Sequence, residues 1–258
     1  MRRFFGKTYF GVIVVAAVLL AVTGFTIPAR ADWNPGDPYK MHYPQLPDPL
    51  GWDVNFASPK VLADDWLCTE TGPVSDIHLW FSSQADQSFT VDQIRLVHLS
   101  IHADVPAGSV PFSQPGVLLW QADLLPGQFS VRPYGTGEEG WYDPNTGYWQ
   151  KPDHFQYYQL NIVDIPDPLI QQQGIIYWLD VSVQAVDVHL GWKTSLQHFK
   201  DDAVWTDVPT SANWQELYDP ITGQSLDLAF VITPEPGTVT LVGLGVVGLL
   251  TVIRRKKA

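Results

Sequence analysis

An all-β body, an antiparallel β-sandwich of jelly-roll type, is the fold class this chain predicts, and three observations carry it. Short runs rich in β-branched and aromatic residues are bounded by Pro, Gly, Asp or Asn. In the clearest of them apolar and polar residues alternate with period two. Val97, Leu99 and Ile101 alternate with His98, Ser100 and His102, and Leu179, Val181 and Val183 with Trp178, Asp180, Ser182 and Gln184. That pattern suits an antiparallel sheet with one wet face. No segment of the body sustains a 3.6-residue apolar stripe over three turns, so the signals of an α/β domain are missing.

Residues 1–31 read as a secretory signal peptide. Arg2, Arg3 and Lys7 form a positive start, Phe10 to Ala21 an apolar core, and Ala29-Arg30-Ala31 a small-x-small cleavage site that predicts a mature start near Asp32. The alternatives are an uncleaved anchor and, from Arg2-Arg3-Phe4-Phe5-Gly6-Lys7, twin-arginine rather than general export. Residues 32–51 carry Pro35, Pro38, Pro44, Pro47 and Pro49 without usable periodicity and predict an extended lead-in. Residues 52–233 form the sandwich. Its expected strands are Val61–Cys68, Asp76–Ser82, Gln93–Asp104, Val117–Ala122, Phe155–Val163, Ile175–Val186, Leu190–Thr194 and Leu226–Ile232.

Residues 234–258 are different in kind. Pro234-Glu235-Pro236 precedes an uncharged apolar run, 237–253, and Arg254-Arg255-Lys256-Lys257 follows it. Seventeen residues at 1.5 Å rise give a helix of about 26 Å, enough for a single transmembrane span with little tilt. The prolines keep the box outside that helix, and the four cations stay cytoplasmic. Box, span and basic stop in this order resemble the PEP-CTERM sorting signal of exported bacterial proteins. The resemblance implies an exosortase-type processing enzyme as a partner beside the secretion machinery. It also implies an inner-membrane-anchored precursor, then residence at the cell surface or in an exopolysaccharide or biofilm matrix.

Charge narrows the partners further. Seven of the 15 Lys+Arg and 26 of the 27 Asp+Glu lie between Asp32 and Thr233, so that stretch carries −19 against −12 for the whole chain. A body this acidic repels phosphate backbones, which argues against nucleic acid, and it would attract divalent cations. Cys68, the single cysteine, lies among apolar positions, which predicts a buried, inert thiol and no internal disulfide.

No nucleophile elbow, zincin, P-loop or EF-hand pattern occurs. The doublets Asp64-Asp65, Glu138-Glu139 and Asp201-Asp202 would point to opposite faces of a strand, which suits a glycosidase acid and base poorly. One carboxylate of Asp64-Asp65 or Asp201-Asp202 could cap a turn or bind calcium; no metal site and no other cofactor is expected. His98 and His102 sit about 13 Å apart along a strand, too far for one metal without a bulge. A solvated face accounts for them and for Ser100 and Asp104, with His78 placed in a neighbouring strand. His154, His189 and His198 read as ordinary surface histidines. Trp141-Tyr142-Asp143-Pro144-Asn145-Thr146-Gly147 and Tyr218-Asp219-Pro220-Ile221-Thr222-Gly223 echo one another as turns with a closing glycine. The first belongs to the richest aromatic cluster, in which Trp141, Tyr142, Tyr148 and Trp149 are candidate glycan contacts; a long hairpin folded over the sandwich as a satellite core accounts for the same rings.

Gly51-Trp52-Asp53-Val54, Val61-Leu62-Ala63-Asp64-Asp65-Trp66, Gly72-Pro73-Val74-Ser75-Asp76-Ile77-His78-Leu79-Trp80 and Gly140-Trp141-Tyr142-Asp143 are similar to an uncharacterised domain of secreted bacterial proteins. Gly191-Trp192-Lys193-Thr194-Ser195, Asp201-Asp202-Ala203-Val204-Trp205 and Ser225-Leu226-Asp227-Leu228-Ala229-Phe230 belong to the same resemblance, which lends no activity. The expectation is a non-enzymatic exported β-sandwich. The alternatives are a polysaccharide-binding module, with or without calcium, and a glycan hydrolase whose site carries no recognised motif.

Overall fold

The computed structural model describes residues 32–207 and 213–234. The expected signal peptide, Glu235 and Pro236 of the sorting box, the span 237–253 and the basic stop lie outside the described residues. Among the described residues no helix is long and apolar enough to cross a membrane. The strands are β1 (Trp52–Asn55), β2 (Val61–Leu67), β3 (Gly72–Pro73), β4 (Asp76–Ser83), β5 (Ile94–Val105), β6 (Gln114–Leu124), β7 (Ser130–Asp143) and β8 (Tyr148–Ile162). They continue with β9 (Ile170–Gln171), β10 (Ile176–Ala185), β11 (Leu190–Ser195), β12 (Val204–Thr206), β13 (Gln215–Glu216), β14 (Asp227–Leu228) and β15 (Phe230–Thr233). The body is all-β, as its alternation predicts.

Two large sheets face each other. One runs β14-β11-β1-β7-β8-β4-β15, the other β13-β12-β2-β10-β5-β6. A continuous core joins Leu62, Leu99 and Leu179 of the second to Leu79, Trp192 and Phe230 of the first. All pairings between named strands are antiparallel except β1 with β7, which is parallel and departs from the expected pattern. Strand β11 pairs with β1 on one side and β4 on the other, so β1, β7, β8, β4 and β11 close into a ring of hydrogen-bonded strands.

Strand β7 is the longest element that periodicity does not reveal. Its sequence holds Pro133, Gly135, Gly137 and two glutamates, and its pairing with β8 shifts register three times. Tertiary pairing overrides the poor β propensity of these residues. At Gly137 only a glycine fits, because a Cβ there would stand 1.7 Å from the Pro49 carbonyl oxygen. The lead-in is correspondingly not free. Met41, Gln45 and Pro47 form bridges to Cys68, Phe230 and Ser195, and Trp33 and Met41 are buried.

The outer face of the second sheet is drier than its polar residues suggest. Trp178, Asp180 and Ser182 alternate with the core residues of β10 as expected, yet all three are buried. Phe112 and Trp214 pack over Trp178 with Ala63 and Val204, forming a small second core. His78 corrects its sequence placement: it lies on β4 in the other sheet, away from β5.

Candidate functional site

Inside the strand ring each of the five strands contributes one polar side chain to a single cluster: Asp53 from β1, Glu139 from β7, His154 from β8, Ser82 from β4 and Lys193 from β11. Lys193 Nζ stands 3.1 Å from Asp53 Oδ2 and 2.9 Å from Glu139 Oε2. His154 Nε2 reaches the same two oxygens at 2.9 and 3.1 Å, while its Nδ1 faces Asp153 at 2.8 Å. Ser82 Oγ donates to Glu139 Oε2 at 3.0 Å. The side chains of Asp53, Glu139, His154 and Lys193 are wholly shielded from solvent.

Electrostatics divides the protons among them. Burial works against a charge on His154, but its contacts with Asp53 and Glu139 outweigh burial and raise it to about 10, so the ring is an imidazolium. Burial also raises the Asp53 carboxyl, yet Lys193 and His154 together hold it below the usual carboxylate range. Glu139 is pushed up to about 7, with burial the largest cause. Two cations therefore face two carboxyl groups. Asp53 Oδ1 and Glu139 Oε1 are left buried without a hydrogen-bond partner among the described residues. Oxygens of Asp53 and Glu139 and a nitrogen of His154 lie within 4.8 Å of one another, close enough to share a metal ion. Lys193 Nζ bonds the same two oxygens, so an ion there would have to displace an ammonium and deprotonate an imidazolium. The expectation that His154 is an ordinary surface histidine is overturned: β8 turns it into the ring. The sequence offers one cue to this centre, a lysine between Trp192 and Thr194 in a short strand that is buried throughout.

On the second sheet Ser100, His102 and Asp180 touch one another, so the expected solvated face holds only in part. His102 Nε2 is 3.0 Å from Ser100 Oγ and 2.9 Å from Asp180 Oδ2, and Ser100 Oγ also donates to Asp180. His102 Nδ1 donates to the Gly116 carbonyl at 3.0 Å. The Asp180 carboxylate at Nε2 and the Gly116 carbonyl at Nδ1 favour the charged ring. Burial opposes that charge, but Asp180 and the Gly116 carbonyl outweigh it.

Asp64 and Asp65 point to opposite faces of β2, as their adjacency requires. Asp64 Oδ2 accepts from Gln45 Nε2 at 2.8 Å and the Leu228 amide at 2.6 Å, and burial followed by Asp227 and Asp65 raises its carboxyl. Asp65 is driven up to about 9 by burial, then by Asp227, Asp201 and Asp104. Its Oδ1 is buried and has no hydrogen-bond partner among the described residues. Asp201 and Asp202 lie on the turn before β12, where Asp202 accepts from Ser225.

The two echoing Asp-Pro turns meet at Trp52. Asp143 and Asp219 each accept from their closing glycine at 2.9 Å, and Gly147 and Gly223 have φ of 71° and 70°, as turn chemistry requires. Trp52 Nε1 donates to Asp219 Oδ2 at 2.8 Å, Trp149 stands edge-on to Trp52 at 6.1 Å, and Lys151 Nζ lies 4.7 Å from the Trp52 ring. A cavity of about 200 Å³ opens here, walled by Asp48, Trp52, Lys151, His198, Asp219 and Gln224. Trp149, 44% exposed, stands at its side; Tyr148, 48% exposed, donates to Gln150 Oε1 at 3.0 Å and so lies on the other face of β8, and Tyr142 is half-buried. Trp141, grouped with them by sequence, is buried against Gly191 and cannot meet a ligand. Asp219 is held below the usual carboxylate range: burial raises it, but the Trp52 indole and the turn amides outweigh burial. Its oxygens are committed acceptors.

A closed strand ring with a sealed ionic centre, inside an acidic β-sandwich, sets the architecture. The chain belongs to the family described as a domain of unknown function (DUF7901), whose model matches residues 41–233, and a PEP-CTERM protein-sorting motif occupies residues 233–256. The motif marks an exported, membrane-anchored precursor processed by an exosortase for the surface. No curated protein and no solved structure matches.

Proposed function

We propose that the mature domain is a non-enzymatic cell-surface or matrix protein that binds polysaccharide at the Trp52 cavity. The reading rests on Trp149, an exposed ring standing edge-on to Trp52 on the strand that carries Lys151 into the cavity wall. Flat aromatic faces stack on the apolar faces of sugar rings, and the carboxylates, amide and ammonium alongside match their hydroxyls. The jelly-roll likeness of the sandwich belongs to the same reading. Calcium would assist at Asp65, where a buried oxygen without a hydrogen-bond partner among the described residues faces the field of Asp227, Asp201 and Asp104. A hydrolase is disfavoured because the paired carboxyls of Asp53 and Glu139 are sealed and those at the cavity are engaged.

Affinity electrophoresis of the processed protein through gels containing different polysaccharides tests the proposal. Retardation by at least one polymer, abolished in Trp149→Ala, is the expected result. Unchanged mobility on every polymer would sink it.

A further inference from the structure

Asp53 and Lys193 stand opposite each other in the β1–β11 register, 140 residues apart in the chain. Their side chains are fully enclosed, and the Tyr157 ring covers Nζ at 4.9 Å. Lys193 Nζ lies 3.1 Å from Asp53 Oδ2, one bond from the carboxyl carbon, while Glu139 Oε2 touches the same nitrogen at 2.9 Å. An amine, a carboxyl group and a second carboxyl able to relay a proton are thus held together where water is excluded.

We propose that this centre cross-links itself after folding, with Lys193 Nζ forming a side-chain amide to Asp53 Cγ and Glu139 shuttling the protons. The pair begins as ammonium and carboxylate. Passing one proton from Nζ to Asp53 leaves a neutral amine and a neutral acid, an exchange that low dielectric favours because it removes two buried charges. The Nζ lone pair attacks Cγ. The first proton arrives on Oδ2, the oxygen that Nζ contacts, and His154 Nε2 bonds the same oxygen at 2.9 Å, placed to deliver a second proton to it. Glu139 Oε2 takes the second proton from nitrogen, His154 Nε2 gives its own proton to the departing Oδ2, and Glu139 restores the proton to His154 across their 3.1 Å contact. The C–N bond forms, a C–O bond breaks, one water leaves and Glu139 is regenerated; nothing is oxidised or reduced. Oδ1, buried without a hydrogen-bond partner among the described residues, stays as the amide carbonyl oxygen.

Three further observations favour the reaction. Glu139, raised to about 7, can hold and release a proton near neutrality. Charge stays balanced, since the Glu139 carboxylate and the His154 imidazolium remain as a matched pair once Asp53 and Lys193 become neutral. The chain has a single cysteine, buried Cys68, so a disulfide within the exported domain is not available to tie its strands.

Protease digestion and tandem mass spectrometry of the folded protein, isolated from membranes with its ends as processed, test this directly. The expected product is one branched peptide joining the segments around Asp53 and Lys193, lighter than their sum by one water. Glu139→Gln, purified in parallel, should yield the two peptides separately. Recovery of unmodified Asp53 and Lys193 peptides from the wild-type protein would overturn the proposal, and an amide from Lys193 to Glu139 would overturn the choice of Asp53. The wild-type map decides even where the variant does not fold.

Discussion

Trp52 and Asp219, 167 residues apart, are tied by a 2.8 Å hydrogen bond from the indole to the carboxylate. The same carboxylate organises its own turn, accepting from the Ile221 and Thr222 amides at 2.8 Å each. One side chain thus holds a loop in shape and fastens it to β1 beside the cavity. Replacing it leaves the indole without its partner. Asp219→Ala should cost about 2 kcal/mol, the loss of charge-assisted hydrogen bonds, whereas Asp219→Asn should retain part of the turn. Urea unfolding of the two variants beside the wild type measures both.

Trp149 offers the complementary case, a ring whose contacts are largely outward. It touches Trp52 edge-on but remains 44% exposed, so Trp149→Ala should destabilise by about 1 kcal/mol. Its effect on polysaccharide retention should be larger, at least about tenfold in affinity, or ~1.4 kcal/mol. Comparable losses of stability and binding would assign Trp149 to the fold instead.

The pH dependence follows from buried acids. Asp65, raised to about 9, binds its proton more tightly folded than unfolded, so its contribution is complete below its unfolded value and is lost as pH climbs toward 9. His154, raised to about 10, acts in the same direction from its unfolded value of 6.5 upward. His42 and His78, both lowered to about 4 chiefly by burial, oppose this only between 4 and 6.5. The melting temperature should therefore fall between pH 6.5 and 9. Asp65→Asn, which removes the titrating acid, should flatten the slope, and calcium at pH 9 should restore stability to the wild type but not to the variant. A melting temperature that rises over this interval would contradict the assignment.

Strand positions were legible where a single face meets the core. Leu179, Val181 and Val183 show their period because they pack in one direction, and so do the positions 97, 99 and 101 of β5. Strand β7 was not, since Gly137 and Glu139 are there for close approach and charge rather than for packing. The ionic centre was illegible for a related reason. Its members come from five strands and sit singly among Trp, Gly and Thr, so no local spacing announces them, and only the closure of β11 onto both β1 and β4 brings them together. The two Asp-Pro turns could be read as turns, but not as the two sides of Trp52, because that depends on contacts across 167 residues.

A cross-link between Asp53 and Lys193 would close a loop of 140 residues, and constraining the unfolded chain to that extent is worth about 5 kcal/mol. Lys193→Arg keeps a cation beside Asp53 and Glu139 but cannot form the amide. It should lower the melting temperature far more than Ser82→Ala, which removes only one neutral donor from Glu139. Because a guanidinium also overfills this enclosed site, the melting temperatures are read beside the peptide mass, and an unmodified Asp53–Lys193 pair in the wild type would assign the whole loss to packing and charge.

The sorting motif makes a prediction independent of the sandwich. Pro234-Glu235-Pro236 stands just before the uncharged apolar run 237–253, and the motif covers both. An exosortase acting there removes the span and the basic stop together. Mass spectrometry of surface-displayed protein should find no peptide containing Arg254–Ala258, whereas Glu235→Ala, which leaves both prolines in place, should accumulate with its tail intact in the membrane fraction. The charge of the released chain should change as well, because the four cations leave with the tail while 26 of the 27 acidic residues stay upstream of the motif. Surface-displayed wild-type protein that still carries Arg254-Arg255-Lys256-Lys257 would show that the motif anchors the chain instead of releasing it.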